Sequence, residues 1–246
     1  MNTAGLELRP LSVRPNGAAG MTGSVRPLPV TTLATVGLAI LVYLVPVLQP
    51  LLVLGRDAVA AGQLWRIATG NLVHFSVSHL VYDLIAVGMT GAMLERDGHR
   101  LSGVVVASSI AIGLAVLLFA PGVAIYGGLS GVAYTLVVLA TLHRLSATAR
   151  ERAVAATVLV LAAVKLGWEI RSGAFLFVGG SSAGFVPVPL THLTGALVGV
   201  AAFFCQRARS GVSTRSWKSK LKSVSGETAS IRAPSTPPAG SSAKVT

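Results

Sequence analysis

Few side chains in this sequence have the means to do chemistry, and they gather at the starts of three apolar segments. Ser130 stands in Tyr126-Gly127-Gly128-Leu129-Ser130-Gly131-Val132-Ala133-Tyr134. His192 stands in Pro189-Leu190-Thr191-His192-Leu193-Thr194-Gly195, and His74, His79 and Asp83 fall between Asn71 and Asp83. A serine hydroxyl is a weak nucleophile until a neighbouring base takes its proton, and histidine is the usual base. Taken alone, the Ser130 segment has two readings: a nucleophile, or a run of small residues for close helix packing. The choice depends on whether the chain delivers a base to the same place.

The elements that must position these residues are membrane helices. Of the 246 residues 52% are hydrophobic and only 11% charged, and the mean hydropathy is +0.72. A water-soluble domain has no core large enough to hide that much apolar surface. Six apolar runs are long enough, or nearly so, to cross a bilayer core, which takes roughly 20 residues. They are 30–48, 72–94, 101–120, 128–145, 154–168 and 188–204. The expected fold is therefore an all-α polytopic membrane protein with six transmembrane helices in residues 30–206. A flexible arm, 1–29, precedes it and a basic, disordered tail, 207–246, follows.

Six spans place both termini on one side, and the basic residues choose which. Sixteen of the 20 Lys and Arg lie in the two termini and in the connections that share their side, leaving Arg56, Arg66 and Arg171 opposite and Lys165 within a span. The positive-inside rule then makes both termini cytoplasmic. The net charge of +12 is accounted for by topology and by contact with the lipid bilayer, and nucleic acid is not an expected partner. Lys165, near the outer end of the fifth helix, is expected to snorkel to the interface beside Trp168. Cys205 has no second cysteine to pair with and reads as a small core or lipid-facing residue.

With the N-terminus inside, the second, fourth and sixth helices all enter from the outer face, so their first turns share one depth. Ser130 at a helix N-terminus meets unpaired backbone N–H groups and the positive end of the macrodipole, which suit a developing oxyanion. His192, Gly195 and Gly199 fall on one helical face, so the glycines permit the close approach that brings His192 to Ser130. Tyr134 lies one turn from Ser130 on the same face and can stack on the imidazole. Asp83 follows His79 by four residues on one face, whereas His74 is off that face and nearer the helix mouth. His79, Asp83 and His74 are oxyanion-hole candidates, with Gly128 leaving room for a substrate backbone, but Asp83 can donate only if protonated; otherwise it orients His79 or a water. A zinc site is disfavoured, because the two histidines are five apart with no Glu between them. No third member behind His192 is evident, and neither metal nor cofactor is expected.

In combination these segments resemble the rhomboid family of intramembrane serine proteases. The matching pieces are Trp65-Arg66, His74-x-x-x-x-His79-x-x-x-Asp83, Gly91-x-x-Leu94-Glu95, Gly128-x-Ser130-Gly131-x-x-Tyr134 and His192-x-x-Gly195-x-x-x-Gly199. The resemblance implies a Ser130/His192 dyad, an oxyanion hole formed by the Ser130 N–H and His79, Tyr134 packed on His192, and an outer loop stabilised by Trp65-Arg66. The departure is Asp83, where rhomboids usually have Asn. The compact six-helix form, the Gly-Gly-Leu-Ser-Gly run and Lys165-Leu166-Gly167-Trp168-Glu169 are similar to the rhombosortase branch, thought to process proteins with a short C-terminal membrane anchor. The resulting expectation is a serine endopeptidase of the bacterial cytoplasmic membrane that cleaves a membrane-anchored protein near the outer face. The alternative is a catalytically silent rhomboid-like protein that binds transmembrane segments; a transporter is disfavoured because the polar groups lie toward the outer ends and no inverted repeat is visible.

Overall fold

The computed structural model describes residues 28–173 and 188–230, the last helix by its side chains as far as Ser210. Helices dominate: α1 (Val30–Leu44), the short α2 (Leu48–Leu52), α3 (Arg56–Ala60) and α4 (Arg66–Thr69), then α5 (Val77–Arg96), α6 (Ser102–Phe119), α7 (Ser130–Arg144), α8 (Ala149–Ser172) and α9 (Pro189–Ser230). Two-residue strands β1 (Leu54–Gly55) and β2 (Ile125–Tyr126) pair antiparallel, tying the connection after α1 to the segment that enters α7. Among the described residues, four helices are long and apolar enough to cross a membrane: α5, α6, α8 and α9 as far as Ser210. The shorter α1 is also apolar.

Burial is inverted relative to a soluble protein. Large apolar side chains such as Leu41, Met89, Leu118, Leu161 and Leu197 stand exposed, as they would toward lipid. The interior is built around α7, ten of whose fifteen residues are buried. Around it pack Val87, Leu94, Ile112 and Val116 from the neighbouring helices, with Leu136 and Leu139 of α7 itself. Fifteen residues span only about 22 Å at 1.5 Å per residue, less than the roughly 30 Å of a hydrocarbon core. Enclosure by neighbours lets this helix be short, and its first residue is Ser130.

Polar contacts fasten the bundle where loops meet helices. The Glu95 carboxylate at the end of α5 accepts from the N–H groups of Thr31 and Thr32 and from the Thr32 hydroxyl, and so caps the start of α1. Arg66, buried, donates to the carbonyls of Pro50 and Val53, and the Trp65 indole donates to Leu51. These bonds hold α2 against α4. Arg56 donates to the carbonyls of Val116, Leu117, Ala120 and Val123, satisfying the C-terminal end of α6.

Several boundaries differ from the sequence expectation: α1 stops at Leu44, and α8 extends beyond 154–168 at both ends, from Ala149 to Ser172. The second apolar run begins at Leu72, but α5 begins only at Val77, because Ser76 is extended and its hydroxyl accepts the His79 N–H as an N-cap. At the other end α9 runs on past Phe204 to Ser230. Most of the arm (1–29) and the last sixteen residues of the tail lie outside the described residues.

Candidate active site

The close approach of α7 and α9 sets the geometry. A Cβ placed on Gly195 would fall 2.0 Å from the Gly131 carbonyl oxygen, so only glycine allows the two helices this near. Thr135 of α7 donates to the Gly195 carbonyl at 2.9 Å and lies 2.6 Å from the Ser108 hydroxyl of α6, which ties three helices at this level. One turn before Gly195, the His192 Nε2 sits 2.9 Å from Ser130 Oγ. His192 is buried, and the ring of Tyr134 stacks on it with centroids 4.6 Å apart and planes 15° from parallel. The Tyr134 hydroxyl donates to the Ala162 carbonyl of α8, which fixes the tyrosine in turn. An imidazole nitrogen at this distance can take the serine proton.

Across from this pair stands a second cluster. His74 is not on a helix at all: it occupies the extended segment between the 3₁₀ turn Gly70–Leu72 and α5, fully buried. Its Nδ1 faces the Leu72 carbonyl at 3.1 Å and its Nε2 faces Asp83 Oδ2 at 3.1 Å. A carbonyl only accepts, so His74 Nδ1 carries a hydrogen. The Nε2 to Oδ2 contact then needs a shared proton, and the Leu129 N–H at the entrance to α7 also points at Nε2, 3.4 Å away. The sequence puts His74 off the His79 and Asp83 face, at the helix mouth, among the supporting groups; in the structure the chain folds back there and delivers it to Asp83. His79 Nε2 lies 3.3 Å from the same oxygen.

Gly128 completes the approach to α7. Its φ is +137°, and a Cβ there would lie 2.6 Å from His79 Cε1. Both conditions require glycine. Ser130, His192, His79 and Asp83 together face a cavity of about 490 Å³ bounded by α5, α7 and α8, with Tyr82 and Leu161 among its walls. Its lining is largely apolar apart from these groups, Lys165 and Glu169. Among the described residues, no group of three or more His, Cys, Asp or Glu side chains is arranged to hold a metal ion.

A family model, the Rhomboid domain, matches residues 61–209, which is more than half of the chain and contains every residue of the site. The chain belongs to the rhomboid family. No curated protein matches it. Membership, together with the four long apolar helices, makes this an integral membrane protein of an intramembrane protease-like family.

In this rhomboid the expectation that nothing stands behind His192 is overturned. The Glu169 carboxylate, 1% exposed, places Oε2 2.7 Å from His192 Nδ1. Its other oxygen, Oε1, accepts from the Lys165 ammonium one turn earlier on α8. Lys165 therefore does not simply snorkel to the interface: it is ion-paired, and its Nζ lies 5.4 Å from the centroid of the Tyr134 ring. Sequence reasoning passed over Glu169 because it lies in the last turn of α8, whereas Ser130 and His192 lie in the first turns of α7 and α9. The signal was an oppositely charged pair at i and i+4 in the otherwise uncharged stretch 153–170 of α8.

Proposed function

We propose that this rhomboid is an intramembrane serine endopeptidase in which Ser130 is the nucleophile and His192 the general base. The observation that carries the reading is the 2.9 Å contact between Ser130 Oγ and His192 Nε2 at the edge of an apolar cavity. Ser130 attacks a peptide carbonyl as His192 takes its proton. His192 returns the proton to the leaving amine, and water resolves the acyl-enzyme. The developing oxyanion meets the first N–H groups of α7, helped by the dipole of that helix, with His79 alongside.

The substrate class follows from where the serine sits. Helix α7 is shorter than a full span and enclosed by its neighbours, and the cavity at Ser130 is lined by α5, α7 and α8. A transmembrane or anchor segment of a membrane protein, unwound near its outer end, fits such a site. The topology that accompanies this reading is six spans with both termini cytoplasmic, in a bacterial cytoplasmic membrane. The Lys165 to Glu169 segment and the glycine run favour the rhombosortase branch within the family.

Labelling by a serine-reactive fluorophosphonate tests the reading. Purified wild type in detergent is expected to label, and Ser130→Ala is expected not to. A wild type that keeps a cooperative thermal transition and yet does not label would favour the other reading, a catalytically silent binder of transmembrane segments, whose motivation is Asp83 in place of the usual Asn.

A further inference from the structure

We propose that Glu169 is a positioning residue that fixes His192 in the Nδ1–H tautomer, so that Ser130, His192 and Glu169 form a three-residue proton path clamped by Lys165. The proposal rests on Ser130 as the nucleophile and His192 as its base. A base must present a lone pair to the serine hydroxyl, and His192 does so at Nε2 only if its proton sits on Nδ1. The group facing Nδ1 decides this. Glu169 Oε2, at 2.7 Å, can accept that proton as a hydrogen-bond partner, and Lys165, which only donates, occupies the other carboxylate oxygen.

The burial pattern of α8 supports a dedicated role. Of its 24 residues only Ala155 and Glu169 are buried, and its other large side chains, such as Leu161 and Val164, stand exposed. Glu169 is the single charged group that this helix inserts into the interior. A buried carboxylate is costly unless paired and hydrogen-bonded, and its two oxygens are divided between one cation and one imidazole. When His192 takes the serine proton, the new imidazolium lies directly against this carboxylate. Lys165 keeps the carboxylate charged between turnovers, and the stacked Tyr134 ring keeps the imidazole plane aligned.

The clamp makes an unusual prediction for Glu169→Gln. Lys165 will claim the amide oxygen, because it has nothing to accept with. The amide N–H₂ must then face His192 Nδ1, which forces the proton onto Nε2 and removes the lone pair from Ser130. Removing Lys165 frees the amide to flip, so that its oxygen accepts from Nδ1.

The test is the rate of acylation by a fluorophosphonate, in which the Oγ–P bond forms, P–F breaks, fluoride leaves and the serine proton passes to His192. Nitrogen NMR of ¹⁵N-histidine-labelled protein reads the tautomer in parallel. Glu169→Gln is expected to react roughly 10²- to 10⁴-fold more slowly than wild type, with the His192 proton moved to Nε2. The double variant Lys165→Met with Glu169→Gln is expected to recover about tenfold or more of that loss as the tautomer returns. A purely structural Glu169 would not give a second substitution that restores the rate. Glu169→Asp, which keeps the carboxylate, is expected to retain the Nδ1–H signature; its loss there overturns the proposal, even if the amide variant does not fold. A folded Glu169→Gln that reacts at the wild-type rate with its tautomer unchanged also overturns it, while leaving Ser130 as nucleophile intact. A wild type that does not react at all overturns both.

Discussion

Two histidine and carboxylate groupings face the same cavity, and they are wired in opposite senses. On the α7, α8 and α9 side the contacts form a line: Lys165 meets one Glu169 oxygen, His192 Nδ1 meets the other, and His192 Nε2 meets Ser130. Each group has a distinct partner on either side, and the chain ends on a hydroxyl at the edge of the cavity. On the α5 side the contacts converge: His74 and His79 both meet Asp83 Oδ2, and His74 is closed off behind by the Leu72 carbonyl. The same residue types thus make a line ending on a hydroxyl in one place and a cluster gathered on a single carboxylate oxygen in the other. Wiring, rather than composition, distinguishes a base from a support.

The largest effect that can break this contrast is expected at the end of the path. His192→Ala should lower the rate of fluorophosphonate acylation by on the order of 10⁴-fold or more, measured on protein whose thermal transition is unchanged. Next is the spacing that holds the path together. Gly195→Ala would drive a Cβ against the Gly131 carbonyl, separate α9 from α7 and open the Ser130 to His192 contact. A loss of about 10²-fold in acylation rate is expected, since misplacement by about 1 Å costs that much, with a lower melting temperature as the accompanying sign.

Smaller effects belong to the converging cluster. Gly128→Ala combines a left-handed backbone with a contact on the His79 ring, and should destabilise by about 1–2 kcal/mol in a chemical-denaturation or thermal assay. The smallest change is expected from Asp83→Asn. An asparagine amide always has an N–H to give. It can donate to His74 Nε2 where the carboxyl and ring now share a proton, so the rate should stay within about a factor of three of wild type or rise. A folded Asp83→Asn protein that loses most of its activity would show that the carboxylate itself takes part, and would erase the distinction between the two clusters.

The legibility of these parts in the sequence followed the same division. Ser130, Tyr134 and His192 could be placed because helical periodicity and glycine spacing are local rules, and because helices entering from one side share a depth. The six apolar runs each coincide with a helix for the same reason, although Ser76 starts α5 later than hydropathy alone indicates. Glu169 could not be placed by those rules. Its partner is 23 residues away, on a helix running the other way, and Lys165 offered a nearer and more ordinary explanation for its charge. His74 could be placed only at the mouth of the helix, because an extended segment can turn a side chain back on a helix it precedes, which no periodicity reports. The β1 and β2 pairing, two residues in each strand, is likewise too short to leave a pattern.

The central claim is that the proton path ends on Ser130, and the most direct measurement is peptide mass spectrometry of the protein after fluorophosphonate treatment. A single adduct on the peptide carrying Ser130 is expected, formed rapidly in wild type and slowed by orders of magnitude in His192→Ala. An adduct on another residue, or a Ser130 adduct that forms as fast without His192, would contradict it.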